Sequence, residues 1–417
     1  MPNLEQTPVS RRGFLRGFSA VGAAALLSAC GTPQAPAPTA KPAAAPPTAP
    51  PAAPATSAPA AKAAEPKAPE AKPAATGPGA DWDELVAAAK KEGTLAAVTG
   101  AGSAYRRIMD LFQEAFPGVT VEHTALRGSD FAARVRQERQ ANLYNYDIAQ
   151  VPTTTALTVL RPAGVWEPVK PVITRPDVLD DKVWEGGFDA GWPDTDKKWA
   201  YAFCNDKARS IWIHPGQAGA SEIKSFKDIV DPKFKGKIAL ADPRTEGRGY
   251  WPMTTLRANL GGAVADDLIR KLLTDMDPFI GTDARQMTEA MARGRYAVGI
   301  GAVDEQIIVD FQDQGVGKEL QAIDNNEEWT YVSGTNIWLV DHAPHPNAAK
   351  LFINWLLTKD GQTVWSRELQ TNSRRVDVPA GAEERQPQPG KKYVQIDAES
   401  LIPEIDKTRE LITEIMK

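Results

Sequence analysis

Thr94-Leu-Ala-Ala-Val98 runs straight into Thr99-Gly-Ala-Gly-Ser103, and that into a stripe of Tyr105, Ile108, Met109, Phe112 and Phe116. A short apolar run, a glycine turn and apolar residues at helical spacing read as strand, loop and amphipathic helix. Pro117-Gly118 ends that helix. Val119 to His123 alternates as a strand does, Phe131 to Ala141 is helical, Asp147 to Val151 is a strand, and Thr153 to Leu160 is a short helix. Three strand–helix units in succession predict an α/β fold with a parallel sheet and helices on its faces. Just upstream, Trp82, Leu85, Val86 and Ala89 share one face of a helix that Gly93 stops.

A second series follows. Phe226 to Val230 is a helical turn, Lys237 to Ala241 a strand, and Asp242 to Gly249 a loop. Helices are expected near 250–260 and 264–273 and over Arg285 to Arg293, with a strand over Tyr296 to Ile300. Trp329 to Val340 reads as a strand region broken at Gly334, and helices are expected over Asn347 to Leu357 and 403–416. From Asp81 to Lys417 there are about 337 residues, more than one hydrophobic core usually supports, so two lobes are expected. Eleven tryptophans are many for this length, and Trp166, Trp184, Trp192 and Trp251 fall in loop-like stretches, where capping a lobe is commoner than lining a cleft.

The N-terminal end is of different material. Ser10-Arg11-Arg12-Gly13-Phe14-Leu15-Arg16 leads into an apolar run, Phe18 to Leu27, that closes on Leu27-Ser28-Ala29-Cys30. This resembles a twin-arginine export signal joined to a bacterial lipobox, with residues 1–29 cleaved and lipid on Cys30. The apolar run is shorter than the ~20 residues a spanning helix needs. Residues 31–80 hold 14 Pro and 20 Ala, which cannot build a core and predict an extended tether reaching up to roughly 150 Å.

The whole chain carries −5 and its first 29 residues +2, which leaves −7 from Cys30 onward. Nucleic acid is a poor partner for such a chain, since phosphate neutralisation needs clustered Lys and Arg. With Cys30 assigned to lipid, Cys204 stands alone in an apolar run from Trp199, so disulfides and cysteine-rich zinc sites are excluded from the mature chain. There is no G-x-S-x-G, H-E-x-x-H or Walker A sequence. Ser221-Glu-Ile-Lys224 lacks the companion motifs of its class, and Gly100-Ala-Gly102 lacks the third glycine of a dinucleotide fingerprint. Neither an enzyme nor a resident cofactor or metal is expected.

In open α/β sheets ligands bind beyond the carboxyl ends of strands. Five such ends carry small or polar residues: Thr99 to Ser103, Pro152 to Thr155, Asp242 to Gly249, Gly301 to Asp304 and Gly334 to Asn336. They supply Ser103, Thr153, Asp304 and Thr335 as candidate ligand-binding residues. Arg127, Arg244 and Arg248 are candidate bidentate donors to a carboxylate or phosphate, and Ser129 joins them at a helix start suited to anions. Simple alternatives stand beside these roles: Ser129 or Asp130 as a helix cap, and Arg244 or Arg248 as solvated loop charges.

Three segments carry a resemblance. Gly236-Lys-Ile-Ala-Leu-Ala-Asp-Pro243 is similar to the "kGkia..dP" strand and loop of the solute-binding proteins of ABC importers. Glu289-Ala-Met-Ala-Arg-Gly294 through Ala297-Val-Gly-Ile300 resembles their "eavarG..avgi" helix and strand, and Ala343 to Leu357 with Asp360-Gly-Gln362 resembles their "aphpnaAklFidwLls..GQ" segment. The similarity covers residues 81–380 and looks nearest to the ferric-iron-binding branch. It implies a two-lobed periplasmic-binding-protein-like fold of type II, hinged by crossing strands near 200–210 and 320–330. Lobe 1 would hold 81–205 with a return segment 325–365. Lobe 2 would hold 206–324 with C-terminal helices 366–417. It also implies a monomeric receptor that closes on a small solute and delivers it to a membrane permease and its ATPase, outside the cytoplasm. The iron branch carries adjacent tyrosines after the "avgi" strand; here Gly301-Ala-Val-Asp-Glu-Gln-Ile307 has none. Tyr201, Tyr250, Tyr331 and Asp304 are the remaining oxygen ligands for ferric iron, and Tyr144 and Tyr146 lie elsewhere. A small anionic solute suits the arginines better; a ferric-iron receptor and a sensory receptor without transport are the alternatives.

Overall fold

The computed structural model describes residues 80–217 and 219–417. The export and lipidation signals, Cys30 and the Pro/Ala-rich stretch before Ala80 lie outside the described residues. Two sheets, each with its own core, build two lobes, and a small third sheet stands where the chain passes between them.

In the first lobe Thr94–Thr99 pairs in parallel with Thr120–Ala125 on one side and Ile148–Ala149 on the other. Leu95 to Thr99 are all buried, as a parallel strand covered on both faces requires. Asn336–Val340 then enters antiparallel and pairs with Ile148–Ala149, Trp166–Glu167 and Ala200–Ala202. Helix Ser103–Ala115 buries Ile108, Met109 and Phe112, and helix Pro346–Leu357 buries an almost continuous apolar face from Ala348 to Leu357. Each fully buried Leu or Phe contributes about 1.5–3 kcal/mol. Asn354, fully buried in that helix, is satisfied on both sides: Nδ2 donates to Val172 O at 2.7 Å and Oδ1 accepts from Thr174 N at 2.9 Å. Trp166, Trp184 and Trp192 are core residues of this lobe and cap it.

The second sheet runs Gln321–Ala322, Ile211–Ile213, Val298–Ile300, Ile238–Ala241, Phe279–Gly281. Its last three strands are parallel, and Ile211–Ile213 joins antiparallel. Helices Trp251–Leu260 and Gly262–Thr274 cover it, and the terminal helix Ile402–Ile415 packs on both.

The chain passes between the lobes three times. It leaves Ala200–Ala202 through Phe203 and Cys204 for Asp206–Lys207, returns through Tyr331–Ser333 to Asn336–Val340, and comes back through Val394–Gln395 to the terminal helix. The three hinge strands form one sheet, with Tyr331–Ser333 between the other two. The return lies at 333–336 rather than 320–330, because the break at Gly334 divides hinge strand from lobe strand. The third crossing, which the expected division puts at 365–366, lies at Val394–Gln395. Helix Lys359–Leu369 spans the expected boundary at 365 yet packs on Ser103–Ala115, with Trp365 in the first core. The segment after it is pinned to the same lobe. Arg374 donates to Ala202 O and Glu185 O, and Arg375 donates to Leu357 O and pairs with Asp377.

Asp397 fastens the hinge by accepting the N–H of Gly334. Burial pushes its carboxyl from 3.8 up to about 6. A carboxyl raised on folding contributes stability below its unfolded value, and that contribution is lost as pH rises through 6. Asp397→Asn keeps an acceptor for Gly334 and removes the charge. We expect the variant to gain about 1–2 kcal/mol on wild type between about pH 4.5 and 7.5, a figure scaled down because the side chain keeps some solvent exposure. Urea unfolding at both pH values measures it; a constant difference would contradict the assignment.

Candidate functional site

The hinge strands and the carboxyl end of the second sheet enclose a cavity of about 400 Å³, within the range of small-ligand sites. Asp206 to Ser210 line it from the first crossing, and Tyr331 and Ser333 from the second. Arg248 enters from the loop after Ile238–Ala241, and Gly301 and Val303 to Gln306 enter from the loop after Val298–Ile300. Arg385 comes from the third crossing. These are strand ends at a topological switch between lobes, where an α/β sheet leaves backbone and side chains free to meet a ligand.

Charged side chains make up half of the lining. Lys207 is 5% exposed and sits 3.2 Å from Asp324, which also lies 3.4 Å from Arg209 Nε. The Arg209 guanidinium is 4.7 Å from the Trp212 ring centre and 3.8 Å from Glu305. Trp212 Nε1 in turn donates to Arg209 O at 2.7 Å, so the base of this side chain is held twice. Arg248 Nη1 donates to Asp304 Oδ2 at 2.9 Å and to Val303 O at 3.3 Å. Asp304 Oδ1 accepts from Gln306 N and Ile307 N at 3.1 and 3.2 Å, capping helix Glu305–Asp313. Asp304 is thus spent on a cap and on aiming Arg248.

Close approach is built in at Gly301. Its φ is +62°, its N–H donates to Ser210 O at 2.6 Å, and a Cβ there would lie 2.5 Å from the Arg248 carbonyl. Glycine lets first crossing, loop and strand end meet at one point. Burial shifts three titratable groups of the wall. It raises the Asp206 carboxyl to about 6 against the pull of Arg385, and raises Glu305 against the pull of Arg209. It pushes the Tyr331 phenol up to about 12.

Of the sequence-derived candidates the cavity collects Arg248 and Asp304. Ser103, Arg127 and Ser129 are exposed at helix starts of the first lobe. The start at Gly128 lies against Pro152 and Thr155. Thr153 is buried and accepts from Asn336 Nδ2 at 2.6 Å. Thr335 stands two residues beyond the lining residue Ser333, and its carbonyl accepts from Phe203 N. Arg244 closes a bidentate pair with Asp242 on an exposed loop and does not line the cavity. The possible iron ligands are dispersed. Tyr201 donates to Phe188 O inside an aromatic stack, Tyr250 donates to Ile405 O, and Tyr331 alone of the three lines the cavity. Among the described residues no group of three or more His, Cys, Asp or Glu is placed to hold a metal. Cys204 is fully buried, with its thiol raised by burial, and reads as an inert core residue.

Lys207, Arg209 and Arg385 escaped the sequence reading. Asp206-Lys-Ala-Arg-Ser210 directly after an apolar strand was a usable signal, because charge at an expected crossing marks a hinge that faces a cleft. Arg385, in the polar stretch Glu383-Glu-Arg385, gave none.

The profile of the bacterial extracellular solute-binding proteins matches residues 96–363. Among solved structures, the Trichodesmium FutA (IdiA) protein in complex with iron and citrate has a TM-score of 0.59 at 16% identity, covering 78% of this chain and 99% of that one. The ferric binding protein from Campylobacter jejuni has a TM-score of 0.59 at 19% identity, covering 77% and 99%. Iron-bound HitA from Pseudomonas aeruginosa has a TM-score of 0.54 at 16%, covering 77% and 99%. At these identities the likeness fixes the two-lobed fold. An uncharacterized Haemophilus influenzae protein is 26% identical over 167 residues, which are 39% of this chain and 46% of that one; the chain spans about half the length of that curated relative.

Proposed function

The chain belongs to the bacterial extracellular solute-binding proteins, and from that premise we propose that it is the receptor of an ABC importer for a small organic anion. The observation that carries the ligand class is the hinge cavity itself, where Lys207, Arg209, Arg248 and Arg385 converge from three stretches of chain. Guanidinium forks match carboxylate and phosphate oxygens two at a time. A ligand touching residues of the crossings and of the second lobe would favour the closed form, so that a permease can tell loaded from empty receptor. The ATPase would be a separate protein.

Ferric iron is the weaker reading. Tyr331 and Asp304 do share the cavity, but the phenol is held neutral by burial and the carboxylate is engaged by Arg248 and the helix cap. Ferric iron asks for ionised oxygen ligands.

Thermal unfolding of the full chain against carboxylates, sugar phosphates, phosphonates, ferric citrate and polyamines tests the reading. A ligand at 100 times its dissociation constant adds about 2.7 kcal/mol. The expected result is a rise in unfolding temperature with an organic anion and none with polyamines. A rise with ferric salts alone would contradict the organic-anion assignment.

We also propose a lipid anchor on Cys30 and an extracytoplasmic, monomeric protein beside its permease. Support comes from the lipobox spacing and from the family's extracellular placement. Among the described residues no helix is long and apolar enough to cross a membrane. Cys30→Ala should move nearly all of the mature protein from the membrane pellet to the soluble fraction; a variant that still pellets after a salt wash would contradict the anchor.

A further inference from the structure

The cavity holds more acid than an anion site needs. Asp206 and Glu305 both line it, alongside Arg209, Arg248 and Arg385. Asp206 Oδ1 accepts from Asn372 N and Nδ2 at 2.9 and 3.0 Å. Among the described residues, nothing donates to its Oδ2 or to either oxygen of Glu305, whose nearest cation is Arg209 at 3.8 Å. Asp304 and Asp324, by contrast, are engaged: the first by Arg248 and a helix start, the second by Lys207 and Arg209.

These oxygens face the cavity, so a solute that excludes water from it leaves two half-buried carboxylates without a donor, which is costly unless the solute supplies one. The two acids act within a common field, since Arg385 and Glu384 bear on both. Arg385 donates to Gln370 O, which fixes part of its fork on backbone. Arg209 divides its charge between Asp324 and Glu305. An anion alone would meet three guanidinium groups and also two open carboxylates that repel it. Burial already holds both carboxyls above the usual carboxylate range, which is how acids behave when the protein itself brings too little positive charge to them.

We propose that the solute is amphoteric: its anionic group is taken by Arg209, Arg248 and Arg385, and a protonated amine on the same molecule is taken by Asp206 and Glu305. This rests on the reading of the hinge cavity as the solute site. It narrows the ligand class to amino acids, amino-phosphates and related compounds, and it gives the acids a role in selection. An amine-free anion leaves both carboxylates without a donor; a bare amine leaves the guanidinium groups without an anion. Rejection by unpaired buried groups is how polar sites discriminate most strongly.

The test is calorimetric titration of the full chain with matched pairs: phosphoethanolamine against ethyl phosphate, and γ-aminobutyrate against butyrate. In wild type the amino member of at least one pair is expected to bind at least tenfold more tightly than its amine-free partner. In Glu305→Gln and Asp206→Asn the ratio is expected to fall below threefold, through loss of the amino member. The phosphate and carboxylate pairs separate the two sources of the anion. Equal or tighter binding of the amine-free member would overturn the amphoteric assignment while leaving the anion receptor standing. An undiminished ratio in both variants would overturn the role of these two acids. Binding by neither member of either pair, with a rise in unfolding temperature for a bare polyamine, would overturn both the inference and the anion reading beneath it.

Discussion

Arg209→Ala is expected to lower affinity for the bound anion by at least about 100-fold, the equivalent of about 2.7 kcal/mol. Its guanidinium is held against Trp212 and between Asp324 and Glu305, in the short connection between hinge strand Asp206–Lys207 and strand Ile211–Ile213. Removing it takes away charge-assisted hydrogen bonds of about 1.5–3 kcal/mol. It also releases the negative charge of Asp324 and Glu305 toward the incoming anion. Arg248→Ala should act in the same direction, and Asp304, freed from Arg248, adds to the repulsion. Arg244→Ala is the matched control. Its guanidinium is committed to Asp242 on an exposed loop, so affinity should change less than about twofold. Calorimetric titration of the three variants with the anion that raises the unfolding temperature decides the matter. Loss of binding in Arg244→Ala with retention in Arg209→Ala would place the solute elsewhere.

Gly301→Ala is expected to cost about 2–4 kcal/mol and to weaken solute binding with it. The left-handed backbone costs a side chain of order 1 kcal/mol, and a methyl 2.5 Å from the Arg248 carbonyl and 2.7 Å from Gly249 N must push the Arg248 loop outward, at about 1–3 kcal/mol. Gly236→Ala isolates the first of these terms. Its φ is +70° and nothing lies within 4 Å of the added carbon, so the expected cost is about 1 kcal/mol with binding intact. Urea unfolding and titration of both variants measure the difference. Equal costs would mean that the Arg248 loop yields freely and that its packing on Gly301 does not set the cavity wall.

Much of the fold was legible because the lobes are built from local units. The run from Thr94 to Leu160 announces strands and helices by apolar period, and the structure places them at Thr94–Thr99, Ser103–Ala115, Thr120–Ala125 and Gly128–Gln140. Strands as short as Ile211–Ile213 and Phe279–Gly281 are too brief for period to register, and helix Lys359–Leu369 was hidden by its charged face. The hinge was harder still. Where a chain crosses between lobes depends on which half of a broken strand pairs with which partner, and Tyr331–Ser333 pairs with Asp206–Lys207 and Val394–Gln395, partners far apart in sequence.

The site follows the same division. Of the residues that line the cavity, Arg248 and Asp304 were legible because both follow the carboxyl ends of strands that the sequence shows. Lys207, Arg209 and Arg385 belong to crossings, and their meeting is a property of the hinge sheet rather than of any one segment. Ser103, Arg127 and Ser129 satisfy the rule for strand ends equally well, yet they lie in the first lobe outside this cavity. The rule gives a rim, and tertiary placement chooses which arc of it is lined with arginine.

The most direct measurement is a crystal structure of the chain bound to the first organic anion found to raise its unfolding temperature. The account predicts one molecule in the hinge cavity, with its anionic oxygens within hydrogen-bond distance of the Arg209 and Arg248 guanidinium groups. Density for that anion only at the helix starts near Ser103 and Arg127, with the cavity between Asp206, Glu305 and Tyr331 filled by water, would contradict it.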